Sequence, residues 1–161
     1  MPNPRPQTLQ PEESLGYQVR RCHRRFDRLL NSVLAREGLK AGYWYYLRAL
    51  WLEDGLTQKQ LSDRTNVAEN TTVVMINGMV ADGLVERRQQ LGDRRKQNIV
   101  LTEPGRELET RLMHHATSIN GLASADIPAD EVAICLSVLA RVSRNLAAEL
   151  RLRTEAVACD D

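Results

Sequence analysis

The stretch LTQKQLSDRTNVAENTTVVMINGMVADGLVERRQQLGDRRKQNIVLTEPG, residues 56–105, decides the architecture. Thr57 followed by Gln60 forms a capping box: the threonine oxygen accepts from the amide three residues on, and the glutamine side chain reaches back to the cap amide. A short helix, Gln58 to Arg64, follows. Thr65 to Ala68 is long enough only for a turn, and from about Glu69 to Asp82 the apolar set Val73, Ile76, Met79 and Val80 keeps helical spacing. Gly83 closes this helix as a C-terminal cap. Two helices joined by a turn of about four residues make a helix-turn-helix unit, a unit whose second helix typically enters a DNA major groove.

Beyond Gly83, Leu84 to Gln89 and Asn98 to Leu101 read as short strands, with the polar stretch around Gly92 and Asp93 as the turn of a hairpin. A wing is expected here. Between Leu84 and Gln97 the cations Arg87, Arg88, Arg94, Arg95 and Lys96 face only Glu86 and Asp93, a local charge of +3. Thr102 caps a following helix with Pro104 in its first turn, where a missing amide costs little. Its seam is Leu108, Leu112, His115, Ile119 and Leu122. The last helix starts near Pro128 and runs to about Arg153, with Val132, Leu136, Leu139, Val142, Leu146 and Leu150 as apolar positions.

Upstream, Pro2, Pro4, Pro6 and Pro11 oppose helix and mark an extended arm. From about Glu12 to Arg36, Leu15, Val19, Cys22, Phe26, Leu29 and Val33 recur at steps of three and four, the seam of an amphipathic helix that Gly38 stops. A second helix, about Ala41 to Glu53, gathers Tyr43, Trp44, Tyr45, Tyr46 and Trp51, five of the chain's seven aromatics. Four consecutive aromatics cannot share one face, because successive helical residues turn by about 100°. Trp44, Leu47 and Trp51 share a face and are expected in the core, which leaves Tyr43, Tyr45 and Tyr46 for a cleft.

The whole-chain averages add only bounds. With 161 residues, 42% hydrophobic and 27% charged, the chain fits one compact domain with or without oligomerisation arms. A net charge of +1 means that any affinity for anions comes from local clustering. No apolar run approaches the roughly 18 residues of a membrane span, and the N-terminus lacks the apolar stretch of a signal peptide, so a cytoplasmic location is expected. Cys22, Cys135 and Cys159 are odd in number and without CxxC spacing, which opposes a disulfide framework and a zinc ribbon.

Leu56-Thr57-Gln58, Leu61, Val67, Thr71, Gly83-Leu84-Val85, Asp93-Arg94-Arg95, and Leu101-Thr102 with Gly105 resemble the winged helix-turn-helix core of the MarR family of bacterial transcription regulators. The resemblance implies a mainly α fold, a winged helix-turn-helix DNA-binding domain whose N- and C-terminal helices form a dimerisation domain. It implies a homodimer reading pseudo-palindromic double-stranded DNA, a ligand-responsive repressor and not an enzyme, with no cofactor and no membrane. The expected layout is a flexible arm at 1–11, dimerisation helices at 12–40 and 103–153, the winged core at 41–102 and a tail at 154–161. Long apolar seams at each end of a small reader agree with pairing, which would bury them.

By its position in the resemblance, Arg94 enters the minor groove, where a guanidinium suits the negative potential of narrow A/T-rich tracts. Asp93 and Arg95 resemble the family's paired residues, the carboxylate shaping the wing. Asn70, Thr71 and Thr72 stand at the exposed start of the second reader helix, with Asn suited to adenine and Thr methyls to thymine. Arg64, Arg87 and Lys96 complete the expected DNA contacts. The chain departs from the family in having no Lys or Arg between Glu69 and Asp82, and in placing Ala68 where a capping Ser is usual.

Relatives often bind small aromatic acids, phenols or their thioesters between dimer helices and reader. Tyr43, Tyr45 and Tyr46 are the aromatic candidates here, with Arg20, His23 or Arg24 pairing an anionic group. A thiol-based redox sensor using Cys22 is an alternative, since Arg20, Arg21, Arg24 and Arg25 flank it, but its place on the apolar seam reads as core. A winged-helix protein-interaction module without DNA binding is another. Adjacent His114 and His115 point to different faces, unlike an i, i+4 metal pair.

Overall fold

The computed structural model describes the backbone of residues 9–90 and 93–159, and the side chains of these apart from 90, 93–96 and 156–159. In chain order the elements are α1 (Leu15–Arg36), α2 (Tyr43–Leu52), β1 (Leu56–Thr57), α3 (Gln58–Thr65), α4 (Glu69–Ala81), β2 (Val85–Gln90), β3 (Asp93–Leu101), α5 (Glu103–Ala123) and α6 (Ala129–Cys159). The strands form one antiparallel sheet in the order β1-β3-β2, with Leu56 opposite Ile99 and Val85 opposite Leu101. The two-residue strand β1 was not expected from sequence. It is too short to show alternation and exists because β3 offers it an edge.

Several chain reversals follow the sequence chemistry. After α4, Gly83 adopts φ 70°, its N–H bonds to Val80 O at 3.0 Å and that of Leu84 to Met79 O at 2.9 Å. This double closure is the glycine C-cap expected there. The Thr102 hydroxyl accepts from Gly105 N at 3.3 Å and donates to Gly83 O at 2.6 Å, so one side chain starts α5 and fixes it to the end of α4. Ser14 caps α1 by accepting from Tyr17 N at 3.3 Å, which starts that helix three residues later than the apolar pattern suggested. β3 begins at Asp93 and α6 reaches Cys159, both longer than expected.

The chain divides into two compact units between Ile119 and Asn120. The core of the first includes Leu34, Tyr46, Leu47, Leu50, Leu61, Ile76, Met79, Ile99 and Leu112, each almost wholly buried. The expected apolar set of α4 needs one correction. Val73 is 38% exposed, whereas Thr72 is fully buried with Ile76 and Met79. Positions 72, 76 and 79 are i, i+4 and i+7, and Val73 lies 100° off that line. A threonine is tolerated inside because its hydroxyl finds a buried phenol, Tyr46, 3.1 Å away.

The α1 seam is a second correction. Leu15, Val19, Phe26 and Leu29 are exposed, and so is Cys22, which sequence placed in the core. Only Leu34, at the end of α1, is fully buried. In the second unit, the link to α6 turns through Asp126 at φ 61°, and α6 exposes Ile134, Leu136, Leu146, Leu150 and Leu152. No helix among the described residues is long and apolar enough to cross a membrane.

Candidate nucleic-acid interface

The capping box at the start of α3 is complete: Gln60 N donates to Thr57 Oγ1 at 3.2 Å and Thr57 N to Gln60 Oε1 at 2.9 Å. α3 ends at Asn66, whose φ of 54° turns the chain. The Ser62 hydroxyl then donates to Val67 O at 2.6 Å and holds the turn before α4. With Thr72, Ile76 and Met79 inward, α4 presents Asn70, Thr71, Val73, Val74 and Asn77 outward. Ala68 at its N-cap offers no side-chain hydrogen bond, which leaves first-turn amides without that partner. Such amides favour an anion.

The structure withdraws Thr72 from the expected DNA contacts, because it is fully buried and bonded to Tyr46. Two residues that sequence reading passed over take their place on the exposed face. Val74 is 65% exposed, and Asn77 follows one turn on. Counting i, i+4, i+7 from Asn70 finds both.

Arg87, on β2, donates to Asn77 Oδ1 at 2.6 Å and to Gln58 Oε1 at 3.2 Å. One guanidinium thus joins the root of the hairpin to α3 and α4. Asp54 braces the same sheet, its Oδ1 accepting from Gly55 N and Leu101 N, both at 2.9 Å, while Oδ2 pairs with Arg106 at 2.6 Å. Sequence offered no signal for that carboxylate. Arg64 pairs with Glu53, and Arg88 with Glu86. The side chains of Asp93, Arg94, Arg95 and Lys96 lie outside the described residues, although their backbone opens β3.

Two of the three cleft tyrosines are corrected. Tyr43 and Tyr46 are each 2% exposed, so neither faces a cleft. Tyr43 donates to Asp82 Oδ2 at 2.8 Å, and Lys40 pairs with that carboxylate at 2.9 Å. The Lys40 hydrogen bond, then that of Tyr43, holds Asp82 below the usual carboxylate range, while Asp82 raises Lys40. Tyr45 is 40% exposed and donates to Asp27, which also receives His23 Nε2 at 3.3 Å. Burial, reinforced by the Asp27 hydrogen bond, pushes the Tyr45 phenol well above its ordinary pKa and keeps it neutral. Arg20 and Arg24 are exposed on α1.

A hollow of about 410 Å³ opens instead beside α2, lined by Trp44, Tyr45, Arg48, Ala49, Leu52, Arg64 and Thr65. Trp44 and Trp51 meet edge-on at 5.7 Å, and Arg48 lies 5.8 Å from the Trp44 ring. The only hydrogen bond of Arg48 among the described residues is to the Met113 sulfur at 3.0 Å. Its charge has no carboxylate partner there.

The helix-turn-helix, the hairpin after α4 and the flanking helices are the architecture that sequence motifs anticipated, and the model of the MarR family matches residues 37–96. Over this winged core the chain is similar to the MarR family. It is similar to the HTH-type transcriptional regulator TtmR of Methylorubrum extorquens (strain PA1), 30% identical over 107 residues, 66% of this chain and 54% of that protein. The chain thus spans about half the length of that curated relative. A MarR family transcriptional regulator from Silicibacter pomeroyi superposes with TM-score 0.74 and 26% identity, over 85% of this chain and 92% of that one. A Listeria monocytogenes protein solved with a 26mer DNA shares the fold at TM-score 0.80 and 20% identity, over 84% and 91% of the two chains.

Proposed function

We propose that this chain is a DNA-binding transcription regulator of the MarR family, a repressor that binds a pseudo-palindromic duplex site as a homodimer. The carrying observation is the outward face of α4, where Asn70, Thr71, Val74 and Asn77 stand free of the core beside a hairpin whose sequence concentrates arginine. Asn suits adenine, and the Thr and Val methyls suit the thymine methyl, so an A/T-rich half-site is favoured. With no cation on α4 itself, attraction to phosphate comes from the wing, where Arg94 is the minor-groove candidate. A two-fold dimer presents two such readers about one helical turn of DNA apart.

The test is selection of a bound site from a random duplex library, followed by Arg94→Ala. Affinity for the selected duplex falls at least tenfold while the melting curve stays in place. Failure to enrich any sequence, or unchanged binding by the variant, overturns the reading.

The regulating ligand in this proposal is a small aromatic acid, phenol or aromatic acyl thioester, seated in the hollow beside α2. Trp44 and Tyr45 offer ring faces, and Arg48 a guanidinium without an acidic partner among the described residues. Arg64 and Thr65 on its rim end α3, so an occupant there touches the reader directly. A tenfold change in DNA affinity needs only about 1.4 kcal/mol of differential binding. Quenching of Trp44 by benzoates or hydroxycinnamates, lost in Arg48→Met, is the expected signature.

A further inference from the structure

We propose that the outward face of α1 is a second, sequence-independent nucleic-acid surface, one that takes the phosphate backbone of a duplex other than the one read by α4. Arg20, Arg21, Arg24, Arg25 and Arg28, with Tyr17, line an open groove of about 430 Å³ along this helix. None of the five has an ion pair or side-chain hydrogen bond among the described residues. The single acid of α1, Asp27, is already engaged by His23 and Tyr45. Like charges four residues apart on a helix repel, and with no counter-charge paired to it among the described residues the stripe is complementary to an external polyanion.

The placement of the stripe decides its availability. At about 100° per residue, Tyr17, Arg24 and Arg28 fall on the side of the helix opposite Leu15, Val19 and Phe26. Covering the apolar side with a second copy of the chain therefore leaves Arg20, Arg24 and Arg28 facing solvent. The stripe is also separate from the reader. α4 meets α2 through Tyr46–Thr72 and Tyr43–Asp82, whereas α1 meets it through Asp27–Tyr45.

The chemistry favours a phosphodiester backbone. Guanidinium forks bind phosphate oxygens in pairs. Arg20, Arg24 and Arg28 recur about every 6 Å along the axis, a ladder suited to successive phosphates and longer than one compact anion needs. Tyr17, 48% exposed at the end of the row, adds a ring face beside it. A membrane surface fits less well, because a helix lying on lipid inserts its apolar side, and here the cations point the opposite way.

The test compares the full chain with Arg20→Gln/Arg24→Gln/Arg28→Gln and with Asn70→Ala/Thr71→Ala. The probe is a random-sequence duplex of about 30 base pairs in about 50 mM salt, read by anisotropy and by bridging of a labelled duplex to a bead-bound one. The triple variant is expected to lose bridging and at least tenfold in random-duplex affinity. Its salt dependence becomes shallower by nearly three, at about 0.9 per phosphate contact. The melting curve stays in place, and affinity for the library-selected duplex stays within threefold. The Asn70/Thr71 variant does the reverse, losing the selected duplex and keeping the bridge, so this surface and the reader fail separately. Bridging that persists in the triple variant, or is absent from the wild type, overturns the proposal. So does displacement of the duplex by phosphatidylglycerol vesicles or by inorganic tripolyphosphate at equal phosphate.

Discussion

Tyr46 Oη and Thr72 Oγ1 lie 3.1 Å apart inside the core, and this pair ties α2 to the inner face of α4. Both side chains are almost wholly buried, so each hydroxyl is the other's replacement for water. Tyr46→Phe or Thr72→Val alone leaves one polar atom without its partner, a loss of about 1–3 kcal/mol. The double variant is expected to lose less than the sum of the two singles. Urea denaturation of all four proteins measures the coupling, and strict additivity contradicts it.

Gly78 faces Tyr43 across the same interface. A Cβ at residue 78 would overlap the Tyr43 hydroxyl and then meet its ring carbon at 3.4 Å. Glycine to alanine inside a helix ordinarily stabilises by up to about 1 kcal/mol. Here Gly78→Ala is expected to destabilise by about 1–3 kcal/mol, the cost of overpacking a fixed ring. In a Tyr43→Phe background the same change is nearly neutral, because the overlapping oxygen is gone. Thermal melts of the two Gly78→Ala proteins decide it.

Those two contacts also show where sequence reading stopped. Capping at Thr57, the glycine turn at Gly83 and the Thr102 start of α5 were legible because each rests on neighbours within a few residues. Which aromatics of α2 go inward was not legible, since Tyr43 and Tyr46 are buried only because Asp82 and Thr72, far along the chain, satisfy their hydroxyls. Trp44 and Leu47 were placed inward correctly by periodicity alone. Arg87 read as a DNA contact of the wing, and nothing in the sequence signalled that it bridges Gln58 and Asn77, a role set by the register of β2 against the reader. Cys22 shows the opposite failure: periodicity placed it on an apolar seam, and this chain by itself does not cover that seam.

The Lys40–Asp82–Tyr43 cluster predicts an acid-side response. The folded pKa of Asp82 is depressed, chiefly by Lys40, so its contribution is present above the unfolded value of about 3.9 and is lost as pH falls through the folded value. Lys40 is raised, so its contribution persists below about 10.4 and is lost as pH climbs through its folded value. Asp82→Asn is expected to flatten the decline of the urea midpoint on the acid side and, by unpairing Lys40, on the alkaline side as well. Lys40→Met flattens the alkaline side and, by removing the chief cause of the Asp82 shift, much of the acid side as well. Parallel curves for wild type and both variants would show that the cluster carries no linkage.

The last prediction concerns assembly. α6 exposes Leu136, Leu146 and Leu150 at 64%, 61% and 65%, and α1 exposes Leu15 and Leu29 at 50% and 49%. Soluble monomers rarely leave contiguous apolar patches beyond a few hundred Å² open to water. A second copy of the chain is the proposed cover, and the wild type is expected to sediment as a dimer at micromolar concentration. Leu150→Asp would place an unpaired carboxylate in that contact, where burial without a partner is unfavourable. The variant is expected to sediment as a monomer. Trp44 and Trp51 lie on α2, in the other compact unit, so unchanged tryptophan emission separates dissociation from unfolding. Affinity for the selected duplex should fall with the dimer, since a lone reader engages one half-site. A wild type that sediments as a folded monomer, or a Leu150→Asp protein that stays dimeric, would remove α6 from the interface.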